Sequence, residues 1–186
     1  MRLAPHLAVL LGLAALAGCA DAPSVPDAVH SQLVAPYQLD SGDQLRVIVF
    51  GQDDLSNTYE VDQAGRITMP LIGAVEARGH TTGDIGAAVA TRLRNGYLRN
   101  PDVTVEVAKY RPFFAMGEVG AAGQYAFVPG MTVQQAIAIA GGFTPRADDY
   151  SVQVTRSYNG QVQTAWLRLT DPVMPGDTLY VRQRLL

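Results

Sequence analysis

Two pairs of neighbouring acids, Asp53-Asp54 and Asp148-Asp149, are the first residues of this chain whose type could do chemistry. Cleaving a sugar bond takes two carboxyls held at a defined separation on either side of it. Adjacent residues rarely point that way, and Asp53-Asp54 next to Gly51 and Asp148-Asp149 before Tyr150 read as solvated turns. The histidines His6, His30 and His80 give neither metal-ligand nor triad spacing. No catalytic residue, metal or cofactor is therefore expected, and the chain reads as something other than an enzyme. Tyr59, Tyr97, Tyr110, Tyr125, Tyr150, Tyr158 and Trp166 could stack on sugar rings, although aromatic residues on strands more often pack or form subunit interfaces. Arg66, Arg78, Arg92, Arg94 and Arg99 could meet an acidic polymer or simply be solvated. The sequence does not choose between these.

The single cysteine is more informative. Met1-Arg2 is followed by an apolar run from Leu7 to Ala17 and by small residues at Ala17-Gly18, directly before Cys19. That is the layout of a signal peptide. As a helix the run would reach roughly 17 Å at about 1.5 Å per residue, short of the ~30 Å hydrocarbon core of a bilayer. Leu16-Ala17-Gly18-Cys19 resembles the lipobox of bacterial lipoproteins, which implies cleavage before Cys19 and lipid on its thiol. A lone cysteine in an exported protein has no internal disulfide partner, and lipidation removes the oxidation liability of a bare thiol. Acyl chains contribute about 0.8 kcal/mol per buried CH₂, so two of them anchor stably where one holds marginally. Ala20 follows, rather than the Asp that resembles an inner-membrane retention signal, and the expected location is the periplasmic face of the outer membrane of a Gram-negative bacterium.

Cleavage before Cys19 removes Arg2 and no acid, moving the formal charge from −3 to −4. No basic patch points to nucleic acid. With 48% apolar residues over the full chain and many glycines and prolines, the mature chain suffices for one or two small domains with frequent tight turns.

The elements that would position any site read as follows. Ala20-Asp-Ala-Pro-Ser-Val-Pro-Asp opens a tether that runs to Pro36. Leu45 to Phe50 reads as a largely buried strand. Tyr59-Glu-Val61 and Arg66-Ile-Thr-Met69 read as a hairpin about Asp62-Gln-Ala-Gly65, with Pro70 at its end. Ile85, Ala88, Val89 and Leu93 form the stripe of an amphipathic helix from Thr82, the expected N-cap, to about Tyr97. Val103, Val105 and Val107 alternate along a strand with one buried side. After Tyr110-Arg-Pro112 come strands over 113–119 and 124–127, then a short helix whose Thr132 and Gln135 make a capping-box pattern and which Gly141-Gly142 ends. Strands at 152–156 and 162–169 flank Tyr158-Asn159-Gly160-Gln161, a tight hairpin signal.

One pattern recurs. Ser41-Gly42-Asp43-Gln-Leu45-Arg-Val47 and Pro175-Gly176-Asp177-Thr-Leu179-Tyr-Val181 share Gly-Asp-x-Leu-x-Val, either as a true repeat or as the same turn chemistry used twice.

Three stretches resemble the Wza-type outer-membrane polysaccharide export family. Tyr37 to Val47, with Gly42, Asp43, Leu45 and Val47, and Val61 to Gly73, with Asp62, Gly65, Pro70 and Gly73, resemble its export domain. Gly117-Glu-Val119, Gly123-Gln-Tyr125 and Thr132 to Phe143, with Ala136, Gly141 and Gly142, resemble its soluble-ligand-binding β-grasp (SLBB) domain, which Gly176 and Asp177 would close with a last strand. These positions are structural, and the resemblance names no sugar-contacting residue.

What it implies is an α+β chain: signal peptide 1–18, tether 19–36, β-rich export domain 37–110 with one amphipathic helix, and β-grasp domain 111–186 with a short helix. The implied function is transport of capsule or exopolysaccharide without catalysis. The implied partners are further copies in a homo-oligomeric ring, an inner-membrane polysaccharide co-polymerase, and the polysaccharide passing through. Long family members add β-grasp copies and a terminal pore helix, whereas this sequence stops at Leu186. The five residues after Val181 would reach only about 7.5 Å as a helix, so a separate outer-membrane pore component is expected. Two alternatives are a carbohydrate-binding periplasmic lipoprotein acting as a monomer and, further off, a polysaccharide-modifying enzyme.

Overall fold

The computed structural model describes residues 36–158 and 161–184. The signal peptide, Cys19, His6, His30, nearly all of the tether and the Asn159-Gly160 turn lie outside the described residues.

In the first half, β1 (Gln44–Val49) is flanked antiparallel by β2 (Asn57–Glu60) on one side and β5 (Val103–Lys109) on the other, with a single 3-10 turn (Asp53–Leu55) between β1 and β2. β3 (Arg66–Met69) and β4 (Gly73–Glu76) form a separate antiparallel ribbon. Helix α1 (Thr82–Arg94) buries Ile85, Val89 and Leu93 against Leu45, Val47, Val49, Ile67 and Val75. Its last turn carries Arg92 and Arg94, which complement the helix dipole.

Four local expectations need correction here. The N-cap is Thr81, not Thr82. Thr81 lies three residues before Asp84, so its hydroxyl accepts from the Asp84 amide (3.3 Å) while the Asp84 carboxylate accepts from the Thr81 amide (2.9 Å). The helix itself stops at Arg94, ahead of Asn95-Gly96. The 59–61 and 66–69 segments are joined by a turn but do not pair as a hairpin, because β2 spends its ladder on β1 and β3 spends its own on β4. And β1 is buried on one side only: Leu45, Val47 and Val49 point inward while Phe50, beyond its end, is 82% exposed. A three-stranded sheet covered on one face needs only every second residue apolar; the unbroken run Val47-Ile-Val-Phe50 hides that alternation.

The second half is a mixed sheet in the order β7-β6-β10-β8-β9. Its strands are β6 (Phe113–Gly117), β7 (Gly123–Tyr125), β8 (Ser151–Tyr158), β9 (Gln161–Arg168) and β10 (Thr178–Val181). β10 enters between β6, to which it runs parallel, and β8, to which it is antiparallel. Helix α2 (Val133–Ile139) crosses one face and buries Val133, Ala136 and Ile137 against Phe113, Ala115, Val152, Val154, Leu167, Leu179 and Val181. Its capping box is the expected one, with Thr132 and Gln135 exchanging amide contacts at 2.9 and 3.4 Å. β8 and β9 pair in register up to Tyr158 opposite Gln161. The fold is α+β, with two α-helices and two separate hydrophobic cores among the described residues.

Candidate functional site

The acid pairs sit in turns. Asp53 and Asp54 are exposed in the 3-10 turn after β1, and Asp148 accepts from the Tyr150 amide (3.1 Å) ahead of β8. His80 is exposed, with Nδ1 3.0 Å from the Arg78 carbonyl oxygen. Among the described residues, no group of three or more His, Cys, Asp or Glu side chains could hold a metal ion. Arg66, Arg94 and Arg99 are exposed, whereas Arg78 and Arg92 are engaged, Arg92 with the Ala74 carbonyl. Tyr59 donates to the Leu55 carbonyl (3.0 Å), and Tyr125 stacks on Phe113 and donates to Ala121 (2.6 Å). Those two rings pack. Tyr97 and Tyr150 are exposed, and Trp166 lies under the Arg182 guanidinium, 4.0 Å from its ring centroid.

The Gly-Asp echo has a common geometry. Gly42 (φ +93°) and Gly176 (φ +84°) take left-handed conformations that glycine alone adopts without strain. The next residue in each case is a fully buried aspartate, which accepts from the amide three residues upstream: Asp43 from Asp40 (2.9 Å), Asp177 from Met174 (2.8 Å). Each turn then launches a strand whose Leu and Val are buried, Leu45 and Val47 in one half, Leu179 and Val181 in the other.

The two turns meet at one residue that sequence reading passed over, Arg111. Its backbone amide donates to Asp43 (3.0 Å) and its guanidinium to Asp40 (2.6 Å), and a Cβ added at Gly176 would lie only 3.3 Å from the guanidinium carbon. The Gly176 amide donates to the neighbouring Pro112 carbonyl (3.1 Å). Asp40 is held from the other side by Arg78 (2.9 Å), which also donates to Ser41 and to the Gln63 carbonyl. Desolvation pushes the Asp40 carboxyl up, but the Ser41 amide and the two guanidiniums together hold it below its ordinary value. Tyr37 donates to Asp43 (2.6 Å), and burial raises its hydroxyl far above the usual tyrosine range. Its ring begins an edge-on series, Tyr37 to Tyr110 (5.2 Å) to Phe127 (5.4 Å), that crosses from one half to the other. Asp177 in turn receives both Nε (2.7 Å) and Nη2 (2.6 Å) of buried Arg156. Burial pushes the Asp177 carboxyl up while Arg156 pulls it back.

This hinge is built to hold an orientation. It offers no nucleophile beside a base and no cleft between paired acids; each charge is committed to a turn. The signal that could have found it was present in two parts, the repeated Gly-Asp and the lone arginine in Tyr110-Arg-Pro112, but nothing local links them.

Comparison with known proteins fits this two-part plan. Residues 31–108 match the family model described as polysaccharide biosynthesis/export protein, and residues 116–164 match that of the SLBB domain. The chain is 33% identical over 97 residues to the exopolysaccharide production protein ExoF of Rhizobium meliloti, covering 51% of this chain and 23% of that one. It is 26% identical over 116 residues to the polysialic acid transport protein KpsD of Escherichia coli, covering 61% and 21% respectively. The chain thus spans less than a quarter of the length of these relatives.

Proposed function

We propose that this chain, which belongs to the Wza-type polysaccharide export family and carries one export domain followed by one SLBB domain, is a non-catalytic subunit of a periplasmic conduit for capsule or exopolysaccharide. In this reading residues 37–110 and 111–186 are the two domains, and lipid on Cys19 ties them to the periplasmic face of the outer membrane. Identical copies form a ring, an inner-membrane co-polymerase feeds it, and a separate component provides the final passage outward. Among the described residues no helix is long and apolar enough to cross a membrane, which says nothing of a strand-built barrel.

The observation that carries the reading is the Arg111 hinge placed between two domains of this family. A head-to-tail ring closes only when every subunit repeats the same rotation. Halves that swung independently would not fix that rotation. The Asp40–Arg111 and Asp43–Arg111 bonds, with the Tyr37–Tyr110–Phe127 series, set the angle between them.

Two measurements test this. Electron microscopy of the lipidated protein in detergent should show closed rings, and a strictly monomeric particle with and without the co-polymerase contradicts the conduit. Cys19→Ser should move the protein from the outer-membrane to the soluble periplasmic fraction with its circular dichroism unchanged. Retention of that variant in the membrane without its partners contradicts the lipid as its anchor.

A further inference from the structure

Helix α2 covers only one face of the five-stranded sheet, and strand alternation gives the other face a different chemistry. Register places Met116 on β6, Tyr180 on β10, Gln153 on β8 and Trp166 on β9 side by side in one row. A second row beside it runs Gln124, Phe114, Thr178, Thr155 and Thr164. Phe114, Met116 and Tyr180 are 41%, 46% and 43% exposed. From Met116 to Trp166 the row crosses three strand spacings, roughly 14 Å at about 4.8 Å each.

The charge on this face has one sign. In a chain whose net charge is −3, the outward positions of the five strands carry no carboxylate. Arg168 stands at one margin, loosely paired with Asp171 at 3.4 Å. Arg182, just beyond β10, is exposed, places its guanidinium carbon over the Trp166 ring, and forms no ion pair among the described residues. Contact with the ring restrains the guanidinium in advance and leaves N–H groups for a carboxylate, so less side-chain freedom is lost when one arrives.

We infer that this face is a track for a segment of acidic polysaccharide. Sugar rings lie on the Tyr180 and Phe114 rings, sugar hydroxyls meet the Gln153 and Gln124 amides and the threonine hydroxyls, and a uronate-type carboxylate meets Arg182. A second copy of the chain is the poorer occupant. A protein interface core is depleted of charge and densely apolar, whereas these rows alternate rings with amides and hydroxyls, and a two-fold contact would put a second unpaired Arg182 into the same interface. The face is open and shallow, so the contact is weak and reversible, as movement of a polymer requires.

This inference rests on the export reading, and the two can fail separately. The probe is an oligogalacturonate, compared with a dextran oligomer of equal length, titrated into the lipidated full-length protein in detergent. Trp166 is the only tryptophan, so its emission reports the face directly. The acidic oligomer should give a saturable change, the dextran at least about tenfold weaker binding, and Arg182→Gln about a tenfold loss towards the acidic oligomer, in line with one charge-assisted hydrogen bond. Calorimetry on the same samples separates binding from any direct effect of the substitution on the indole. A flat titration, equal binding of the two oligomers, or an unaltered Arg182→Gln variant overturns the track. So does emission that depends on protein concentration alone, which would give the face to a second copy. If a strain lacking the gene loses its surface polysaccharide while the titration stays flat, the track falls and export stands; unchanged surface polysaccharide in that strain removes the export reading itself.

Discussion

Arg156→Met should lower the unfolding free energy of the C-terminal half by about 3–5 kcal/mol, because it strips a buried carboxylate of its counter-charge. Asp177 is fully buried and Arg156 is 5% exposed, and the pair is joined by two short bonds. Without the guanidinium, Asp177 keeps the Met174 amide as its hydrogen-bond donor, and Arg111 acts only at longer range. An added Asp177→Asn removes the stranded charge while leaving an oxygen for the Met174 amide. The double variant should therefore be more stable than Arg156→Met alone, a coupling that a double-mutant cycle reads from urea midpoints at constant m. The sign with pH follows from burial. Asp177 titrates above its ordinary value, so the protonated form is the better tolerated in the fold, and the loss in Arg156→Met should be smaller near pH 4 than at pH 7. Equal losses in the single and double variants would remove the stranded-charge account.

Gly117→Ala should cost a similar amount, about 3–5 kcal/mol, by a different route. Gly117 ends β6 at φ +84°, and an added Cβ would come 2.1 Å from the Val181 carbonyl oxygen and 3.2 Å from the Tyr180 ring. That oxygen belongs to the parallel β6–β10 pair and accepts from the Glu118 amide (2.9 Å), so it cannot retreat without opening the ladder. Left-handed backbone strain of about 1–3 kcal/mol adds to overpacking of about 1–3 kcal/mol. Gly130 supplies the control, since it has a similar φ of +81° with nothing within 4 Å of its Cβ position. Gly130→Ala should cost only the backbone strain, about 1–3 kcal/mol, and so less than Gly117→Ala. Thermal melts of the two variants, compared side by side, check this, and equal shifts would mean that the Val181 contact yields.

What could be read from sequence was whatever the chain settles locally. The stripe Ile85, Val89, Leu93 and the alternation Val103, Val105, Val107 each describe one element facing one core, and both faces are where periodicity puts them. The Thr132–Gln135 box lies within one turn and was equally legible. Thr81 and Thr82 are adjacent hydroxyls, and only the partner three residues on decides which one caps. The 59–69 pairing failed because strand choice is not local: a turn at Asp62–Gly65 fits a hairpin, but β1 competes for β2 and wins through its register with Asn57–Glu60. Arg111 is farther out of reach. Its carboxylates lie 68 and 71 residues upstream, and the glycine whose missing side chain makes room for it lies in the other half. Trp166 could be assigned to a strand from sequence, but which face of that strand stays uncovered depends on where α2 packs.

If the chain carries polysaccharide outward as proposed, surface polysaccharide is the quantity that responds to its loss. In a strain lacking the gene, the polymer on the cell surface should fall to background while polymer accumulates inside the envelope, and the wild-type gene supplied in trans should restore it. Surface polysaccharide unchanged by the deletion would contradict the account.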